Sequence, residues 1–376
     1  MISLAYLIHV ERIFDSYGQA GLVLAATSFG QAVAGPLTSR WMGRWGMRPV
    51  IALTLIVSLI SMGAVAFVPM ALGGYMFFGL LGGLSTPPIQ PAVRTIYPKM
   101  VNSRQLTPLF SLDASAQEII WIAGPVITTF LAIQIAPPVA ISVAGLFLLG
   151  GGVWFLASPE VGSVRIPPSR RRLGSVLSNG AVLLSTVVGF LLIGSAAAVE
   201  VAVVSVFGDE GAEAGILLSM WAIASLIGGL GLGGIPIGPW AMTTRMVIVA
   251  VGMLLAMAST NFWWLLFSLA IAGAGIAPAL AVMFAIVSAS VKFSETAEAY
   301  GWVGSGQLIG AALGSAIAGF AIDAFGSFGG FTTALVFATV GTVVAALSTR
   351  AHPDLRDRDA SPIPDTEPVT TVQPVG

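Results

Sequence analysis

The residues in this sequence best able to do chemistry are acids set in apolar surroundings. Glu118 lies in Asp113-Ala114-Ser115-Ala116-Gln117-Glu118-Ile119-Ile120-Trp121, and Glu200 in Ala197-Ala198-Val199-Glu200-Val201-Ala202. A carboxylate in such a setting can bind and release a proton as its exposure to water changes. Glu118 stands nine residues beyond Leu109. At 1.5 Å per helical residue that is roughly 13–14 Å, near the middle of a bilayer core about 30 Å thick. Asp113 is about half as deep, and Glu200 precedes Phe207 by seven residues, roughly 10 Å. Ionisable groups at such depths usually face a cavity or a partner. The sequence places no Lys or Arg deep in an apolar segment, so these acids are expected to lack a permanent cationic partner. Glu118 is the first candidate for a proton-coupling group, Glu200 the second and Asp113 the third. The competing reading gives Glu118 only a packing hydrogen bond to a neighbouring helix.

Other chemistries find little to work with. There is no cysteine and there are two histidines, His9 and His352, so no metal site or cofactor is expected. His9 is expected at a surface. The HExxH and GxSxG patterns are absent, and neither Lys99 nor Lys292 follows a phosphate-cradling glycine loop. An ATP-driven pump is therefore disfavoured, and a polytopic membrane enzyme is a weak alternative. A net charge of −1 argues against nucleic acid as a partner.

The elements that must hold these acids are membrane helices. The chain has 376 residues, 56% hydrophobic and 9% charged, with a mean hydropathy of +0.93. A soluble domain carries about 25% charged residues. Apolar runs fall at 18–39, 49–69, 71–93, 109–133, 137–157, 181–207, 214–236, 244–260, 263–290, 297–322 and 329–349. Each is close to the roughly 20 residues a helix needs to cross a bilayer. Met1 to His9 forms a shorter apolar stub. If every run crosses once, fifteen of the sixteen Lys and Arg residues share one side, with Arg12 opposite. That side is expected to be the cytoplasm of a cell membrane.

The chain repeats itself about a basic connection. Ala20-Gly21-Leu22-Val23-Leu24 recurs as Ala214-Gly215-Ile216-Leu217-Leu218, and Gly35 matches Gly229 at the same offset of 194. Gly82 to Pro87 resembles Gly273 to Pro278, and Glu118, Trp121 and Gly124 echo Glu298, Trp302 and Gly306. The expected organisation is an N-terminal bundle over 1–158, a cytoplasmic loop over 159–179, a C-terminal bundle over 180–350 and a disordered cytoplasmic tail over 351–376. The repeat asks for a partner to 181–207 near the N-terminus, where only the stub is present. The first helix is therefore read as truncated, leaving about eleven full transmembrane helices.

With its helix count, repeat and basic centre, residues 1 to about 350 resemble the major facilitator superfamily. Ser39-Arg40-Trp41-Met42-Gly43-Arg44-Trp45-Gly46-Met47-Arg48-Pro49 is similar to that family's loop between helices two and three: Arg44, Gly46 and Arg48 match, while Gly43 stands where the family has an aspartate. The resemblance implies a gating role for this loop, with its latch weakened by the missing acid. The family often has an arginine inside helix four; Tyr75 takes the approximate position, and Arg94 is expected to snorkel to the interface. Gly124-Pro125 is similar to the glycine-proline motif of the family's antiporters. Glu295-Thr296-Ala297-Glu298-Ala299-Tyr300-Gly301-Trp302 looks like a group of bacterial exporters.

The implied fold is all-α and integral to the membrane, with two six-helix bundles related by a pseudo-two-fold axis. The implied activity is secondary transport of a small molecule by alternating access, with protons as the coupling ion and export as the direction. An uptake symporter or an inactive remnant are the alternatives. Trp121, Trp302 and Glu298 are substrate-path candidates, and the acids favour neutral or cationic lipophilic substrates. The expected surroundings are a lipid bilayer, with the chain as a monomer.

Overall fold

A computed structural model describes residues 2–169, 171–207, 213–356 and 360–365, apart from the side chains of Tyr17, Ser103, Ile122 and Pro125. Fourteen α-helices follow one another: α1 (Ile2–Phe14), α2 (Tyr17–Trp45), α3 (Met47–Phe67), α4 (Leu72–Leu84), α5 (Ile89–Met100), α6 (Ser103–Gln134), α7 (Pro137–Ala157), α8 (Pro159–Ser163), α9 (Gly180–Phe207), α10 (Glu213–Leu232), α11 (Ala241–Ala256), α12 (Phe262–Ser290), α13 (Phe293–Phe325) and α14 (Ser327–Leu347). No named strand occurs among the described residues. Nine of these helices are long and apolar enough to span a bilayer: α2, α3, α6, α7, α9, α10, α12, α13 and α14.

All eleven apolar runs become helix, with one correction. The run at 71–93 is two helices, α4 and α5, separated at Ser85-Thr86-Pro87-Pro88. Two successive prolines remove two N–H donors, and each disfavours helix in the residue before it. The other boundaries have equally local causes. Ser16 caps α2 by accepting from Gln19 N–H at 3.3 Å, and Asn261 caps α12 by accepting from Trp263 N–H at 3.0 Å. Gly46 joins α2 to α3 at φ +90°, a backbone region glycine enters without steric strain.

Helices α1–α4, α6 and α7 share one apolar cluster built on Tyr6, Val23, Met62, Tyr75 and Ile141. Helices α9–α14 build a second, which also takes in Leu106, Phe110 and Ala114 of α6. His9 is part of the first half's interior, 8% exposed, with Nε2 2.9 Å from Val65 O. The expectation of a surface histidine fails because Tyr75 packs edge-on against its ring.

Part of the tail departs from expectation, while 357–359 and 366–376 lie outside the described residues. Its described residues dock on the second half. Leu355 N–H donates to Ile237 O at 2.8 Å, and Ile363 exchanges backbone bonds with Val291 and Phe293 at 2.9 and 3.0 Å. Asp365 accepts from Ser294 N–H and Oγ–H at 3.3 and 2.6 Å, so it caps the N-terminus of α13. Apolar Leu355 and Ala360, 7% and 1% exposed, anchor a segment whose composition reads as solvated.

Candidate functional site

Helix α6 carries Ser111, Ser115 and Glu118 at i, i+4 and i+7, one helical face, and that face meets α10 of the other half. Ser111 Oγ–H donates to Gly229 O. A Cβ on Gly229 would lie 2.1 Å from Ser115 Oγ, so only glycine allows this approach. Further along, Ser225 Oγ–H donates to Glu118 Oε1 at 2.8 Å, while Ser225 Oγ accepts from Ala277 N–H of α12 at 3.1 Å. Glu118 is 8% exposed. None of the ion pairs among the described residues includes it.

The opposite seam joins α2 to α13 by the same device. Gly35 and Gly301 face each other so closely that a Cβ on Gly301 would sit 2.6 Å from Gly35 O. Ser305 Oγ–H donates to Ala32 O at 2.5 Å. Ser305 follows Ser115 by 190 residues, and the facing glycines, Gly35 and Gly229, differ by 194. Helix starts agree, with Ser103 and Phe293 also 190 apart. This register corrects the sequence pairing of Glu118 with Glu298, which used an offset of 180. Glu118 corresponds to Leu308, and Trp302 to Leu112. The shift of ten residues, roughly 15 Å along a helix, puts the two glutamates at different depths.

Glu298 and Trp302 consequently belong to a closure at the face that carries the basic residues. Glu298 Oε2 accepts from Arg40 NH1 at 3.1 Å, and its Oε1 accepts from Gly174 N–H at 2.7 Å. Arg40 NH2 also donates to Arg171 O, and Arg171 Nε stands 3.5 Å from Glu295 Oε1. The indole of Trp302 lies under Gly174. Position 43 offers no acid, and the ion pair across this seam is made by Arg40 and Glu298. At Gly43 itself a Cβ would meet Pro167 O at 3.3 Å, so the 159–179 connection fills the space a side chain would need. Arg48 NH2 donates to Ser158 O at 3.2 Å, tying α3 to the start of that connection. Arg44 is exposed.

A second acid of α6, the half-buried Asp113, has a partner that sequence reasoning missed. Arg94 Nε donates to Asp113 Oδ2 at 2.8 Å, Tyr97 OH donates to Asp113 Oδ1 at 3.2 Å, and the guanidinium lies 3.6 Å over the Phe284 ring. Arg94 is 4% exposed. It does not snorkel, because the Pro87-Pro88 break starts a new helix that turns it into the interior. The expectation that Asp113 lacks a cationic partner is therefore corrected. The break was visible in the sequence; its effect on Arg94 was not.

Phe110, fully buried, packs against Tyr97 and Tyr300. Trp121 lies eleven residues on, about three turns along the same face of α6, and is 63% exposed. Along that face of α6 the side chains thus pass from buried at Phe110 to exposed at Trp121. Glu200 is exposed on α9, and Gly124 is buried within α6. The side chain of Pro125 lies outside the described residues. Of the sequence candidates, Glu118 bonds Ser225 across the seam, Trp121 is exposed further along α6, Asp113 joins the Arg94 cluster, and Glu298 and Trp302 lie at the Arg40–Gly174 contacts.

A family model for the Major Facilitator Superfamily matches residues 1–244 and 238–373. No curated protein is similar enough in sequence to count as a match. Among solved structures, the chain is similar to the human organic anion transporter MFSD10 (TETRAN) at 17% identity and a TM-score of 0.68, covering 88% of this chain and 83% of that one. It is also similar to a bacterial homologue of the iron transporter ferroportin in an outward-facing state, at 12% identity and a TM-score of 0.72, covering 93% and 98%. A proton:xylose symporter, XylE, gives 10% identity and a TM-score of 0.73, covering 96% and 93%.

Proposed function

Because the chain belongs to the Major Facilitator Superfamily, we propose that it is a secondary transporter that moves a small molecule across a cell membrane by alternating access, exporting it against an inward flow of protons. The basic face is then the cytoplasmic one, and this conformation is closed to the cytoplasm and open outward.

The observation that carries the proposal is the bond between Glu118 and Ser225. It crosses from one half to the other. A hydrogen bond to an ionised carboxylate is roughly twice as strong as a neutral one, so ionised Glu118 holds the α6–α10 seam shut. A proton arriving from the outer cleft weakens that bond and lets the seam part. The halves then rock, Glu118 meets the cytoplasm and the proton leaves. The arriving substrate takes the vacated cleft, with Trp121 on its wall. Because the seam bond runs through Ser225 to Ala277 N–H, the charge on Glu118 is felt by α12 as well. Arg40 and Glu298 supply the cytoplasmic latch, which must break in the same step. Export is favoured by the likeness of Gly124-Pro125 to the antiporter motif.

The test is a single substitution. Glu118→Gln keeps the shape and a hydrogen-bonding group but cannot exchange a proton. Substrate binding should survive and substrate-linked proton movement should vanish. Proton movement equal to that of the unaltered protein would remove Glu118 from the mechanism.

A further inference from the structure

We propose that the second half of the molecule binds a single halide ion beside Arg245, where α11 meets α6, α10 and α12. Arg245 lies one turn into α11 and is 8% exposed. Its NH1 donates to Thr244 Oγ1 at 2.9 Å. Its Nε is sealed from solvent and has no acceptor. No ion pair among the described residues includes it. A buried charge without a counter-charge is strongly unfavourable, and proteins normally pair it or neutralise it. A guanidinium does not lose its proton in a protein, so pairing is the route left.

The surroundings fit a small anion. Arg245 borders a crevice shared with Thr107 and Ser111 of α6, Gly233 and Ile237 of the α10–α11 connection, and Pro278 of α12. The crevice has room for one water-sized occupant, the least space a water needs. A monatomic halide needs somewhat more room than a water, which this partly open crevice could give by a small shift of its walls, whereas a phosphate group needs far more. The Ser111 hydroxyl is committed to Gly229 O, which leaves Arg245 as the charged donor on the wall.

Leu355 N–H bonds Ile237 O on the wall of the crevice, so the docked tail borders it. His352 is 4% exposed, and its Nε2 has no partner. Burial lowers the pKa of its ring, and the charge of Arg245 lowers it further, against the raising effects of Pro353 O and Asp354. The nearby Asp354 carboxylate is already engaged by Arg356 Nε and NH2. Among the described residues Arg245 is thus a buried cation on the wall of this crevice with no acid bonded to it. A halide there would satisfy Arg245 and join α6 and α10–α12 to the docked tail.

The experiment is a thermal melt of the full chain in nanodiscs of zwitterionic lipid, followed by tryptophan fluorescence at constant ionic strength, with sodium gluconate exchanged for sodium chloride or bromide. The expected result is a saturable rise in Tm with either halide that is absent in Arg245→Met. A Tm indifferent to halide, or a rise that persists in Arg245→Met, overturns the proposal. A rise with inorganic phosphate or with anionic-lipid nanodiscs, but none with halide, overturns it in favour of a larger anion. If Arg245→Met does not fold, anomalous scattering from bromide-soaked crystals of the unaltered protein decides the matter. A peak beside Arg245 supports the site, and no peak there overturns it.

Discussion

Ser225 on α10 donates to Glu118 on α6 at 2.8 Å, joining two residues 107 positions apart across the line that divides the molecule. Removing the donor leaves Glu118 in place without its bond. Hydrogen bonds to charged groups contribute about 1.5–3 kcal/mol. Ser225→Ala should therefore shift the conformational equilibrium away from the form closed at the basic face by up to that amount. Spin labels placed on α6 and α10 near that face should report a larger fraction of long distances.

The Arg40–Glu298 pair should act as a second latch that substitution can weaken without touching the Glu118–Ser225 bond. The chain has no cysteine, so a single one can serve as a probe. Ser39 is 1% exposed at the same seam. Ser39→Cys should react slowly with a membrane-impermeant thiol reagent applied from the basic face. Adding Glu298→Gln should speed labelling several-fold. Exchanging the charges, with Arg40→Glu and Glu298→Arg together, should restore part of the protection.

The glycine seams should tolerate no side chain. A Cβ on Gly301 would stand 2.6 Å from Gly35 O, a backbone atom that cannot swing aside. Gly301→Ala should force α2 and α13 apart and destabilise this conformation by about 1–3 kcal/mol, the usual effect of overpacking. Ser39→Cys labelling should rise here too, with the Arg40–Glu298 charges intact.

Arg94 and Asp113 form the pair whose single disruption should be most harmful. Asp113→Asn leaves a guanidinium buried against Phe284 without its counter-ion, and breaking such pairs costs about 3–5 kcal/mol. Tm and folded yield should both fall. Removing both charges, as Arg94→Met with Asp113→Leu, should recover most of the loss. A double variant as unstable as Asp113→Asn would show that the pair is needed for more than charge compensation.

What the sequence makes legible is what one helix can state by itself. Length and hydropathy name the eleven apolar runs, and alternating connections place the basic residues on one face. The depth of Glu118 follows from counting residues from Leu109. The repeat is readable where glycines recur, as at Gly35 and Gly229. It misleads where charged and aromatic residues look alike: Glu118 and Glu298 are both glutamates, each followed at short distance by a tryptophan, yet they lie ten residues out of register. Contacts between helices are not legible in this way. Nothing in the run at 71–93 says that a proline pair will rotate Arg94 into the interior. Nothing in the polar tail says that Ile363 will pair with Val291 and Phe293, or that Asp365 will cap α13. Those outcomes depend on which surfaces meet, and hydropathy along one strand of sequence carries no term for that.

The most direct measurement uses inside-out vesicles with an acid interior, a pH-sensitive dye in the lumen, and a panel of lipophilic cations and neutral compounds added outside. The expected result is that at least one compound triggers loss of luminal protons in the unaltered protein, and that Glu118→Gln, inserted to the same level, shows none. A substrate-triggered proton loss undiminished by Glu118→Gln would contradict the assignment of Glu118 as the coupling group.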